Sequence, residues 1–326
     1  MADGLNKFND VRCVPESTAG TKVDVATTRL MGQLSYPYGG PIIHTSKPQS
    51  QSLVSPNYPT KVGEELGFTF EGKCTFEQII YLLSMGIIEC TPTGSGPYVW
   101  TFKHNMSQPS TPKSLTLQFG DNAQAYDAEY VIAKSLEFSG AIDTPVMMKA
   151  ELFGRNFEPT SWNPAAGALA NPSALDTVLS NFTKLYIDLQ TGTIGTTEKP
   201  KTITDWAVKI KTGYEPDKHG GDTLAFDSLA QDEPEVTVDL TIDVNDATEA
   251  ERLIYSNVGT RLFQLEIAGT GDNLLTFQFA GHYSSFGPKS EKNGKNKIPV
   301  TVHVDLDTGF TDFFIAEVTN SIAALT

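Results

Sequence analysis

Two stretches of strict alternation constrain this chain more than any other feature. Val236, Val238, Leu240, Ile242 and Val244 alternate with Thr237, Asp239, Thr241 and Asp243. Ile298, Val300, Val302, Val304 and Leu306 alternate with Pro299, Thr301, His303 and Asp305. Successive strand side chains point to opposite faces, so this period demands strands buried on one face and wet on the other. Shorter runs of the same kind lie at 67–71, 98–103, 115–119, 135–139, 147–153, 185–189, 206–211, 263–267 and 275–279. Pro299 lacks an N–H and therefore requires a strand start, a bulge or an edge. The chain reads as mainly β, a β-rich α+β fold.

Only two segments carry helix signals. At 76–84, Thr75 is placed as N-cap, Gln78 as its capping-box partner and Gly86 as the stop. At 247–257, Asp246 takes the cap position, Glu249 the third helical position and Gly259 the stop. Each helix lies between strands, so the order strand, helix, strand, strand occurs twice: 67–71 to 98–103 and 115–120, then 236–244 to 263–267 and 275–281. The caps are 171 residues apart, the stops 173 and the last strands 160. Ile79-Ile80-Tyr81 in one helix matches Leu253-Ile254-Tyr255 in the other. This reads as one module used twice. The expected organisation is an extended arm with short strands at 1–60, a first module at 61–156, a linker at 157–180 and a second module at 181–326. The Pro- and Gly-rich runs at 36–41 and 55–59 read as turns. Each module is expected to be a β-sandwich or barrel with one flanking helix. Three such chains would make a ring of pseudo-sixfold character.

Charge narrows the function. The 326 residues hold 24 Lys plus Arg against 39 Asp plus Glu, a net charge of −15. Residues 1–163 carry 12 basic and 16 acidic groups, net −4, and 164–326 carry 12 and 23, net −11. A protein that grips phosphates needs a basic face, so tight nucleic-acid binding is excluded, although passing contact with DNA is not. Cys13, Cys74 and Cys90 fit neither a disulfide framework nor a zinc-ligand spacing. The first residues lack the apolar core of a secretion signal, and no apolar run approaches the roughly 18 residues of a membrane span. The expectation is a chain soluble when made.

No catalytic motif emerges. GxSxG, HExxH, P-loop and GxGxxG patterns are absent from the sequence, and His44, His104, His219, His282 and His303 are scattered. His303 falls on the polar side of its strand and reads as solvated. Asp305-Leu306-Asp307-Thr308-Gly309 approaches a calcium loop, but its glycine is one place early and the distal Glu is missing. The reading is therefore a non-enzyme with no cofactor, metal or catalytic residue. Lys289, Lys292, Lys295 and Lys297 cluster around Asn293-Gly294 as a hairpin tip. That tip is open to three readings: a solvated anti-aggregation device, a contact with an acidic neighbouring subunit, or a phosphate contact.

Several segments, in order, resemble the tail tube proteins of long-tailed bacteriophages. They are 114–121, a polar hairpin to 133–140, Asp143-Thr144-Pro145-Val146, and Lys149-Ala150-Glu151-Leu152-Phe153-Gly154-Arg155. Then come 182–188, 204–214, 295–306 and 313–320. The resemblance is one of pattern and order and covers roughly residues 60–326. It implies a virion protein without enzymatic activity, made in the host cytoplasm, that polymerises as stacked rings around a DNA channel. Inner strands would join a ring-wide barrel. Implied partners are further copies of the chain, a tape-measure protein, tail-tip and terminator proteins, and transiting double-stranded DNA, with no membrane. The acidic balance suits such a conduit, since a repulsive wall lets phosphates slide. Two alternatives stay open: another tube-fold virion component such as a terminator, baseplate hub or secreted tube subunit, and a carbohydrate-binding or adhesin module, or an enzyme with a scattered acidic site. Trp100, Trp162 and Trp206 could line a sugar platform, although core packing accounts better for the first and last of these.

Overall fold

The computed structural model describes residues 10–24, 28–35, 38–47, 57–121, 123–162, 175–220, 224–292, 294–307 and 309–326. Chain order begins with β1 (Asp10–Pro15), β2 (Thr28–Arg29), β3 (Gly32–Leu34), β4 (Tyr38–Ser46), β5 (Tyr58–Lys73), α1 (Ile79–Gly86), β6 (Tyr98–Lys103), β7 (Leu115–Gly120), β8 (Ala125–Ala141) and β9 (Met147–Thr160). It continues with β10 (Thr183–Leu189), β11 (Ile203–Lys211), β12 (Tyr214–Asp217), β13 (Ser228–Gln231), β14 (Glu235–Asp243), α2 (Asp246–Ser256) and β15 (Thr260–Ala268). The last strands are β16 (Leu274–Phe286), β17 (Ser290–Lys292), β18 (Lys295–Val304) and β19 (Phe314–Asn320). The protein is mainly β. Seventeen strands form one antiparallel sheet, and β12 and β13 pair separately.

The two alternating stretches are neighbours, with Val238 opposite Val302 and Leu240 opposite Val300. Pro299 lies inside β18, opposite Thr241 of β14. On its other side β18 pairs with β16 at 300–304 and with β17 at 295–297. The proline therefore falls where the partner strand changes, and its missing N–H leaves no hole in a continuous ladder.

Strand pairing repeats across the two halves. In the first, β5 pairs with β9, β9 with β8, β8 with β7 and β7 with β1. In the second, β14 pairs with β18, β18 with β16, β16 with β15 and β15 with β10. This pairing puts β15 in the place of β7 and β16 in the place of β8. The sequence pattern instead matches 98–103 with 263–267 and 115–120 with 275–281. That offset arises because Leu-Thr-Leu-Gln-Phe and Leu-Thr-Phe-Gln-Phe are generic amphipathic strands. β6 occupies no rung of the repeat and pairs instead with β19.

The halves are sewn together. β11 pairs with β14 on one side and β8 on the other, and β6 meets β19. One hydrophobic core runs through both halves. Phe277 lies 5.6 Å from Phe138 and 6.0 Å from Phe314, ring centre to ring centre. The ends of the expected linker are also built in. β9 continues to Thr160, and Val178 is buried with backbone hydrogen bonds to Cys74 and Val146; residues 163–174 lie outside the described residues.

The arm is only partly an arm. β1 is a sheet strand along β7. The buried Glu16 carboxylate accepts the N–H groups of Gly20 at 2.7 Å and Tyr130 at 2.8 Å and the Thr116 hydroxyl at 3.0 Å. Gly39, Gly40 and Pro41, expected as a turn, lie inside β4, which among the described residues pairs only with β5. An edge strand tolerates a residue without an N–H.

The helices differ in kind. Every residue of α1 is buried, so it is a core helix rather than a flanking one. The helix starts later than expected, at Ile79, with Gln78 rather than Thr75 at the N-cap and no side-chain cap. Thr75 Oγ1 accepts the Gln78 N–H in the turn before it. The Gln78 side chain does not close the box: it bonds Arg29 and Met31 of the arm. Gly86 is the last helical residue, and a Cβ there would meet Leu136 Cδ1 at 2.5 Å. Its role is close approach to β8 rather than chain reversal. α2 is a surface helix capped one residue earlier than expected, by a reciprocal Asn245–Thr248 box. It is tied down by the buried Glu251, which meets Arg261 at 3.0 Å and Tyr283 Oη at 3.3 Å.

After α2 the left-handed position belongs not to Gly259 but to the exposed Val258, with φ +52°. A β-branched residue is strained there by about 1–2 kcal/mol. Val258→Gly is expected to raise stability by about 1 kcal/mol after the glycine's extra unfolded-state entropy is deducted. Urea unfolding midpoints would register it, and an unchanged or lowered midpoint would refute the strain.

Candidate functional site

Register carries one polar row across seven strands. Glu71 on β5 faces Lys149 on β9, which faces Glu137 on β8, which faces Lys209 on β11. Lys209 faces Thr237 on β14, Thr237 faces His303 on β18, and His303 faces His282 on β16. One residue along, Phe138, Val208, Val238 and Val302 face the core and are fully buried. The result is a continuous wall drawn from both halves of the chain, apolar behind and polar in front. The lysines that β11 contributes are matched: Lys209 sits 2.7 Å from Asp239, and Lys211 3.9 Å from Glu235.

A second feature leaves the body at the edge of this wall. β4 and the first half of β5 form a two-stranded ribbon whose register shifts between Ile42 and Ile43. Residues 41–47 and 57–62 are all exposed. Ile43 is 57% exposed, Tyr58 55% and Val62 52%, with Ile42 close behind. An isolated two-stranded ribbon is marginal in water, and these apolar side chains lack a core of their own. At its base Lys218 Nζ donates to Glu64 O at 3.1 Å, and Glu64 N–H to Leu224 O at 3.0 Å. The sequence did signal this, in Pro41-Ile42-Ile43 and in the Tyr58–Lys73 strand, but the surrounding Pro and Gly masked it.

The lysine hairpin exists as β17 and β18, with Lys292 opposite Lys295. Lys289 Nζ lies 2.6 Å from Glu249 on α2 and holds that carboxyl below its usual range. Lys295 and Lys297 both approach Asp243, at 3.4 and 3.7 Å, and Lys297 is buried. Three of the four cations thus serve contacts within the chain; the side chain of Lys292 lies outside the described residues.

The tryptophans form no platform. Trp100 and Trp206 are buried, their indole N–H groups donating to Ile322 O and Thr183 Oγ1. Trp162 is half-buried, donates to Asp121 O and stacks under Arg12. Residue 308 of the 305–309 stretch lies outside the described residues. Asp307 caps the Gly309 N–H at 2.7 Å, while Asp305 turns to His282 and His303. His303 is therefore not merely solvated. The pairing that joins it to His282 is nonlocal, so the alternation around His303 does not show it.

Beside this wall a cleft of about 730 Å³ is lined by His104, Gln231, Glu235, His303, Asp305 and Phe313, among others. His104 is buried, and neither ring nitrogen has a hydrogen-bond partner among the described residues. The chain matches no protein-family model and no curated protein.

Burial pushes the His104 pKa down to about 4, from an ordinary value of 6.5. Between those values the unfolded chain binds a proton that the folded chain refuses. The stability involved is present above pH 6.5 and is lost as pH falls towards 4, about 2 kcal/mol of it by pH 5. In His104→Leu the drop between pH 7 and pH 5, read from urea unfolding, is expected to shrink by that amount. An identical drop in both proteins would refute the assignment.

Proposed function

We propose that this chain is a virion structural protein that assembles with copies of itself into stacked rings, forming the tail tube through which phage DNA leaves. The rings are trimers of pseudo-hexameric character, because the ladder occurs twice per chain. The chain is not an enzyme, and it works in the virion tail with tape-measure, tail-tip and terminator proteins as partners.

The observation that carries this reading is the projecting ribbon of β4 and β5. Exposed Ile43, Tyr58 and Val62 on a two-stranded edge call for a covering surface, and open strand edges recruit further strands. A second copy of the chain is the natural cover, since β4 carries no Lys, Arg, Asp or Glu to oppose like-charged subunits. The seven-strand polar wall also supports the reading. It offers a smooth face on which Lys209 and Lys211 are already held by carboxylates, so passing phosphates meet little that would grip them.

Electron microscopy of the purified protein is expected to show rings or tubes. Ile43→Asp combined with Val62→Asp should leave the fold intact, because both sites are solvent-exposed in the monomer. It removes about 3–6 kcal/mol of apolar burial per contact. The concentration needed for assembly, followed by sedimentation, should rise by at least about 100-fold. Monodisperse monomers of the unaltered chain at every accessible concentration would sink the proposal.

A further inference from the structure

We propose that His282, His303 and Asp305 form a binding site for a divalent transition-metal ion, with zinc as the best-suited probe. The proposal is independent of the tube reading and rests on how the sheet assembles the three donors. His282 and His303 are direct cross-strand partners on β16 and β18. Their rings lie 5.6 Å apart, tilted by 34°. Asp305 follows His303 by two residues on the same face, and its own N–H is fixed by Ala280 O at 3.0 Å.

The three donors converge. Nδ1 of His282 contacts one Asp305 oxygen directly, and Nδ1 of His303 lies 3.2 Å from the other. One donor atom from each residue can be chosen so that all three lie within 4.8 Å of one another. Tetrahedral zinc with bonds of about 2.0–2.2 Å spaces its ligands at about 3.4 Å. Small side-chain rotations therefore suffice, without movement of the backbone.

The donor chemistry narrows the ion. Two imidazoles and one carboxylate suit zinc, copper or nickel, whereas calcium and magnesium prefer all-oxygen sets. Each of the three residues is partly exposed, so the ion has a path in, and water completes its coordination as at other three-ligand zinc sites. Because two rigid strands already hold the histidines together, little conformational entropy remains to be lost on binding.

The test is calorimetric titration of the full chain with Zn²⁺, with Ca²⁺ as comparison. One equivalent of Zn²⁺ is expected to bind saturably, and Ca²⁺ is not. Outer-shell partners alone are worth about 10–100-fold in metal affinity, so His282→Ala and His303→Ala should each weaken binding by at least tenfold. Asp305→Asn, which preserves side-chain shape, should do the same. His219→Ala, at an exposed histidine held between Asp217 and Asp227, should leave binding unchanged. Circular dichroism confirms that each variant is folded before titration. Failure of the unaltered chain to bind Zn²⁺ saturably would overturn the proposal. So would retention of full affinity by the three site variants, or a preference for Ca²⁺.

Discussion

Everything else in this molecule depends on the pairing of β8 with β11. β8 is 17 residues long and has neighbours on both sides, with β9 along one flank and β7 and β11 sharing the other. The β11 contact joins a ladder made by residues of the first half to one made by the second. Without it each ladder would end in an open edge, a liability that proteins cover or blunt. With it, Phe138 packs against Phe277, and two potential cores become one. The polar row from Glu71 to His282 exists only because this junction preserves the register.

Duplication of a pairing pattern did not duplicate the environment of its parts. α1 and α2 stand at equivalent places, each following the first strand of its ladder. α1 is sealed by the arm, where Gln78 bonds Arg29 and Met31, and by the C-terminal residues, where Thr28 and Tyr81 meet the Thr326 carbonyl. α2 has no such cover. It is anchored by the charged network of Glu251, Arg261 and Lys199 and leaves Leu253 and Tyr255 exposed. Two matching local sequences thus came to lie in a core and on a surface, because the segments available to cover them differ.

The sequence revealed what is local and concealed what is not. Alternation locates β6, β11, β14 and β18 to within a few residues, because burial of one strand face is written directly into side-chain order; β7 alternates too but is buried on both faces. The cap signals located both helices but not their caps: α1 begins at Ile79 after Gln78 rather than after Thr75, and α2 is capped by Asn245 rather than Asp246. Pairing is nonlocal, so the partners of β6 and the true repeat offset could not be read from similar strand sequences. The lysine hairpin was legible as a hairpin, but its cations' partners, Glu249 and Asp243, lie far away in sequence. The histidine site required knowing that 282 and 303 are cross-strand neighbours.

On the proposed reading, the charge of −15 and self-association are reconciled by where charge and apolar surface are placed. Like-charged copies repel, and a strongly acidic chain resists compact association unless its contacts avoid that charge. β4 is free of ionisable carboxylates and cations, and Ile42 and Ile43 lie at its middle. The facing segment of β5 brings Lys61, Glu64 and Glu65, of which Lys61 and Glu64 pair at 2.6 Å and Glu65 is held 3.3 Å from Lys218. The ribbon is therefore nearly neutral on a chain that is not, and most of its apolar surface is exposed. Hydrophobic burial acts only at contact, whereas charge repulsion acts at a distance and weakens with salt. Under the proposed assembly, concentrating apolar area on a projecting, nearly neutral element would let two copies make contact while their acidic bodies stay apart.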